Sequence, residues 1–321
     1  MGLWQLRLSM LGTLALIIGL STAFFTGILW YFGVDLLLMP IFVIAFNLIQ
    51  WLIAPYLIDA MYRVREVSQS EKPQLHAMVE KLSQKSGISK PRVMVANMPI
   101  PNAFAYGSPI SGSRVAVTSE LLNTLNEGEV EAVVGHELGH LKHRDVQVMM
   151  FVSILPAVFY YIGISMLWSS RGSRDDRGSG GTAAIAAVSM LMYFVLTMFT
   201  LYMSRLREYF ADRHSASIVD DGPRKLSVGL AKIVDSTRRA KQARRNVGTS
   251  NSFKALFISD PDRAALDSAA LSQAGFRTDQ KLVEDVLRKE VTSTDRLAEL
   301  FSTHPNIVKR LKALQNLDQK S

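Results

Sequence analysis

"HELGHLKHRD", residues 136–145, gathers three of the chain's six histidines, a glutamate and an aspartate into one short stretch. On a helix, His136 and His140 lie one turn apart, so both imidazoles leave the same face and can grip one ion. Glu137, next to the first of them, can reach a water on that ion. The plain alternative is a solvated helix face. The apolar "EAVVG" at 131–135 runs straight into the histidines and argues against it. Asn126 can cap this helix, with Glu129 three residues on, in the manner of a capping box.

Two histidines do not complete a catalytic metal site, which commonly has three protein ligands and a water. His143 returns to the same face, but helical rise puts it ~10 Å along the axis from His136. That is too far to share an ion unless the helix breaks, so His143 reads as a polar neighbour of the site. "REYFAD", residues 207–212, places Glu208 and Asp212 one turn apart on another helix. Glu208 could complete the coordination while Asp212 accepts a hydrogen bond from a ligating imidazole. Taken alone, that pair is an ordinary charged helix face. His214 and His76 read as structural or surface residues.

Around these motifs the charges are unevenly spread. Residues 8–34, 36–58, 146–170 and 178–204 contain no Asp, Glu, Lys or Arg. Each run reaches the ~20 residues that cross a ~30 Å hydrocarbon core as a helix. Buried helices of a large soluble protein are the alternative, and four such runs weigh against it. Gln147 and Pro156 interrupt the third. The pattern predicts a mainly α membrane protein with four transmembrane helices in two hairpins. The first run is too long for a signal-peptide core and reads as a signal anchor.

Arg7, Arg63, Arg65, Lys72, Lys142, Arg144, Arg205, Arg207 and Arg213 then fall on one side of the bilayer, which the positive-inside rule makes cytoplasmic. The divisions expected are a membrane hairpin at 1–62, a soluble segment at 63–145, a second hairpin at 146–204 and a soluble segment at 205–321. Both termini and both soluble segments face the cytoplasm of a multi-pass plasma-membrane protein. The net charge of +8 fits attraction to an anionic leaflet. No aromatic-basic interleaving points to nucleic acid. The absence of cysteine excludes disulfides, thiolate catalysis and cysteine-ligated metals.

The first soluble segment reads as a helix over 74–87 that stops at Gly87, and strands over 91–97, 102–107 and 113–119. The second continues the fourth apolar run as a helix. It then becomes basic and glycine- and serine-bearing over 238–251, and ends in a helix starting at Pro305.

The pieces "NAFAYG", "VTSELL", "HELGHLKHRD", "SRLREYFAD" and "THPNIVKR", in that order, with apolar hairpins before the first and between the third and fourth, resemble the HtpX-type membrane-integrated zinc metalloproteases, relatives of the CAAX prenyl proteases. The resemblance covers nearly the whole chain. It implies a cytoplasmic zincin-like α+β protease domain carrying a small β-sheet, and one Zn2+ per chain held by His136, His140 and Glu208. It further implies Glu137 as catalytic base, an active-site role for His304, and Asn102, Ala103 and Phe104 lining the substrate. The substrates would be proteins or peptides, membrane or misfolded proteins among them, in membrane protein quality control. On pattern alone, "NAFAYG" could equally be a core strand with Phe104 buried. A transporter or a catalytically inactive scaffold is the rival function. The apolar runs lack the intramembrane carboxylates or lysines of a transporter, and the intact ligand-plus-base set argues against a dead scaffold.

Overall fold

Strand residues that alternate between two apolar faces build the centre of the fold. In this computed structural model, which describes residues 38–172, 179–243 and 283–319 except 285 and 289, helix α1 (Leu38–Tyr62) leads into β1 (Val64–Glu66). Helix α2 (Pro73–Ser86) follows, then β2 (Arg92–Ala96), β3 (Ala103–Ser108) and β4 (Gly112–Thr118). Next come α3 (Ser119–Thr124), α4 (Glu127–Lys142), α5 (Asp145–Gly172), α6 (Ser179–Ile218) and α7 (Gly222–Ala243). The chain finishes with α8 (Ser293–Leu300) and α9 (Ile307–Asp318).

The sheet order is β1-β2-β4-β3, with β2 and β4 parallel and the outer strands antiparallel. Thus β3, which lies between β2 and β4 in sequence, sits at the edge. Val93, Val95, Ala103, Val115 and Val117 point to one core, shared with α2, α4, α7 and α9. Met94, Ala96, Phe104, Tyr106 and Ala116 point to the other, which Ile58 of α1 closes. Both faces are covered, which is why these strands read as nearly continuous apolar runs.

Local chemistry sets the helix ends. Pro73 opens α2, and Gly87 closes it at φ 65°, donating with Ile88 to the last free carbonyls. Asn126 and Glu129 form the expected capping box on α4. The helix does not run on into the third apolar stretch. His143 is its C-cap, Arg144 turns at φ 54°, and Asp145 starts α5. The last helix begins at Ile307 rather than Pro305, because the Asn306 side chain accepts from Val308 N–H and takes the cap. Strand β1, too short to show a period, is absent from the sequence reading.

Among the described residues, 52–146 with 205–243 and those of 283–319 form one compact unit, and 38–51 with 147–172 and 179–204 form a second. In the second unit Val152, Phe159 and Leu196 pack together, and Tyr160 meets Tyr193 at 5.4 Å between ring centroids. Thr197 and Thr200 donate to carbonyls one turn back in their own helix, which satisfies both hydroxyls without a partner from outside it. Among the described residues two helical stretches are long and apolar enough to cross a membrane, Gln147–Leu167 in α5 and Gly181–Ile218 in α6. Pro156 does not break α5. Of the other two expected spans, the run 8–34 lies outside the described residues, as do 173–178 and 244–282. The run 36–58 is carried by α1 from Leu38.

Candidate active site

Helix α4 supplies His136, Glu137 and His140, and the two histidines face the part of α6 that carries Glu208 and Asp212. The two helices approach closely because Gly135 and Gly139 lie on the contact face. A Cβ on Gly139 would meet the Cα of Ala211 at 3.1 Å, and one on Gly135 would meet Val219 and Ser215 at 3.1 and 3.2 Å. Ser215 Oγ donates to Ala132 O at 2.6 Å and locks the pair.

Donor atoms of His136, His140 and Glu208 lie within 4.8 Å of one another, a spacing that suits a metal ion. The two Nε2 atoms face each other at 3.1 Å, and Glu208 is 3.6 Å from the first and 3.5 Å from the second. The outer nitrogens are fixed by carboxylates: His136 Nδ1 is 2.9 Å from Asp212, and His140 Nδ1 is 2.6 Å from Asp145. If each Nδ1 carries the proton toward its carboxylate, both Nε2 lone pairs point into one small space and repel unless a cation lies between them. The donor set therefore fits a divalent ion of borderline softness. Burial opposes a positive charge on His140, yet Asp145 and Glu208 outweigh it and push its pKa up to about 10.

Glu137 is buried, and burial raises its carboxyl above the usual range even though His140 and His136 oppose that shift. The backbone N–H of Ala105 on β3 donates to it. His304 points Nε2 at Glu208 from 3.6 Å, while Nδ1 pairs with Thr303 Oγ1 at 2.9 Å. Asn102 is buried at the start of β3, its N–H donating to Thr118 Oγ1 and its carbonyl accepting from Thr118 N–H, both at 2.9 Å. Ala103 is buried against the main core, and the Phe104 ring packs with Tyr62 and Tyr106 in the other. His143 is turned away from the ion site, its ring against Phe210 and His214. His214 meets Ser86 Oγ at 2.9 Å, and His76 meets Val67 O at 2.9 Å.

Sequence reasoning gave no role to three residues that support the site. Arg310, fully buried, forks onto Asp212 with bonds of 2.6 and 3.0 Å and holds Nη1 3.1 Å from Glu208. Asp145 is gripped by Arg207 Nε at 2.9 Å; despite burial, Arg207 and His140 hold its carboxyl below the usual range. Arg310 did leave a signal. It sits on the same face of α9 as Ile307, Leu311 and Leu314, where an arginine is costly unless it is paired.

A helix carrying HExxH, with a glutamate of a second helix close enough to share an ion with its two histidines, has the donor set of a metal-dependent peptidase. The chain belongs to peptidase family M48, whose model matches residues 69–318. It is 35% identical to the protease HtpX homolog of Thermoplasma acidophilum, covering 98% of this chain and 97% of that one. It is 38% identical to the protease HtpX homolog of Aeropyrum pernix, over 87% of this chain and 86% of the relative. The crystal structure of S. mikatae Ste24p shares the fold with a TM-score of 0.52 at 16% identity, over 97% of this chain and 66% of that one. The chain is a membrane-bound metalloprotease.

Proposed function

We propose that the chain holds one zinc ion on His136, His140 and Glu208 and acts as an endopeptidase on membrane or misfolded proteins. The convergence of two imidazole nitrogens and one carboxylate beside a buried glutamate carries this reading. When bound, zinc supplies a Lewis acid that makes a water nucleophilic and polarises the peptide carbonyl. Glu137 takes the proton of the attacking water and returns it to the departing amine, a task suited to a carboxyl whose pKa burial has raised. Asp212 and Asp145 orient the two imidazoles. His304 is the donor offered to the oxyanion of the tetrahedral intermediate.

Substrate lies along β3 in this reading. Because Asn102 bonds squarely across to Thr118, antiparallel alternation turns the backbone groups of Ala103, Ala105 and Gly107 away from β4, where Ala105 N–H already meets Glu137. A peptide added there gains sequence-independent hydrogen bonds next to Glu137. Phe104 contributes its place in the strand rather than its ring. The chain crosses the plasma membrane four times, with the site and both termini cytoplasmic. The exposed apolar side chains on α1, α5 and α6, such as Ile49, Tyr161 and Leu191, support lipid contact, and the basic flanks support the orientation. The function is removal of damaged membrane proteins.

Two variants separate metal binding from chemistry. Glu137→Gln should keep one zinc per chain by elemental analysis and lose nearly all peptide hydrolysis. Glu208→Ala should weaken zinc binding by more than about tenfold. Normal zinc content and cleavage in Glu208→Ala would sink this ligand set.

A further inference from the structure

Among the described residues, exposed large apolar side chains fall into two groups. Most lie on α1, α5 and α6. The rest are Ile110, 67% exposed at the β3–β4 turn, and Leu297, Leu300 and Phe301 at the end of α8, exposed by 61%, 47% and 62%. Single exposed apolar residues are common and need no cause. These four share a feature: each of the two patches is tethered to a helix that carries a long uncharged run.

The β3–β4 hairpin runs along α1 toward its uncharged part. Tyr106 Oη donates to Asp59 at 2.6 Å, and Arg114 pairs with the same carboxylate. Two residues nearer the tip, Ser108 Oγ donates to Leu52 O at 3.4 Å. The contact has moved back along α1 by about two turns, ~10 Å, into the uncharged run 36–58. Ile110 lies beyond Ser108 in that direction. The end of α8 is tethered to α6 instead. Arg205 Nη1 donates to the carbonyls of Glu299, Leu300 and Ser302 at 2.8, 3.3 and 2.8 Å. Arg205 is the first charge after the uncharged run 178–204, and a charge at that place sits at headgroup level. The carbonyls it holds sit there too.

We propose that Ile110 and the Leu297–Leu300–Phe301 patch dip into the headgroup–acyl boundary of the bilayer, as two feet on which the protease unit stands. The proposal rests on reading α1 and α6 as membrane spans. Each foot is contiguous with a segment that touches the catalytic glutamates. Ile110 lies in the turn after the strand whose Ala105 N–H meets Glu137, and Phe301 comes three residues before His304, which faces Glu208. Apolar side chains seated in the boundary gain burial that water denies them, and exposed Arg296 beside Leu297 suits an anionic surface. The feet would hold the substrate edge and His304 beside the lipid, where a polypeptide leaving the bilayer first becomes accessible.

The native chain has no cysteine, so single cysteines can carry an environment-sensitive fluorophore. The full chain is reconstituted in nanodiscs after Ile110→Cys, Phe301→Cys, Leu191→Cys or Asn123→Cys, and zinc content verifies the fold of each. Leu191, exposed on α6, reports the span, and exposed Asn123 reports water. Labels at 110 and 301 should be quenched at least about twofold by lipids bearing a shallow nitroxide, and protected severalfold from iodide relative to 123. Labels at 110 and 301 that behave like 123 while 191 is lipid-quenched would overturn the feet alone. Protection from iodide without lipid quenching would also overturn them, by showing that protein covers the patches. A label at 191 that lipid does not quench would remove the membrane reading and the proposal with it.

Discussion

Arg310 has a guanidinium enclosed on all sides and no solvent to share its charge. Removing one member of a buried ion network leaves its partners uncompensated, which costs more than the pair contributes. Arg310→Met should therefore destabilise the protein by ~3–5 kcal/mol in thermal or denaturant melts. It should also loosen zinc in chelator competition, because Glu208 loses the cation that holds its second oxygen. Adding Asp212→Asn should restore part of the stability and none of the zinc affinity. A melt and a zinc affinity equal to wild type in Arg310→Met would show that the network does not position Glu208. The site was unevenly legible at this scale. His136 and His140 could be paired from spacing, because one helical turn is a local relation. Glu208 needed a family resemblance. Arg310 stood inside a recognised motif without a role, because its carboxylate partner is 98 positions away.

Between elements, the α4–α6 contact decides how well the ligands meet. Gly139→Ala forces a methyl against the backbone of Ala211 and the Cβ of His214. Neither can move without shifting α6, so Glu208 should retreat from the two histidines. Zinc affinity should fall with little loss of helix content by circular dichroism, and an unchanged affinity would mean that α6 has slack. Strand β3 invites a different comparison. Phe104→Ala empties a packed position and should cost ~3–5 kcal/mol of stability without a selective kinetic defect. Asn102→Ala should leave folding and zinc content intact and lower kcat/KM for many unrelated peptides alike. Wild-type kinetics in well-folded Asn102→Ala would end the substrate-edge proposal. Alternating valines made β2 and β4 readable, and the capping box marked the start of α4. The break after His143 was not readable, because it depends on Arg144 adopting positive φ, which nothing in its side chain requires.

For the molecule as a whole, orientation is the property most open to test. Cysteine placed at Ser173 should react with a membrane-impermeant thiol reagent in intact cells, and cysteine at Ser321 only after lysis. Labelling of both in intact cells would reverse the cytoplasmic assignment. The charge distribution carried this reading, since apolar length and flanking arginines are visible in any sequence. How the sheet orders its strands was not visible, because β3 pairs on the far side of β4 and no local pattern specifies an edge.

The proposed metal site draws His136 and His140 from before the second apolar hairpin, Glu208 from after it, and its supporting Arg310 from α9. A ribosome that has made only the HExxH helix has therefore made two ligands and a base with nothing to complete them. The whole second apolar hairpin must be made before Glu208 can reach its partners, and Arg310 follows Glu208 by about a hundred residues. On the proposed ligand set, peptidase competence waits for the fourth apolar run, because Glu208 follows it in the sequence.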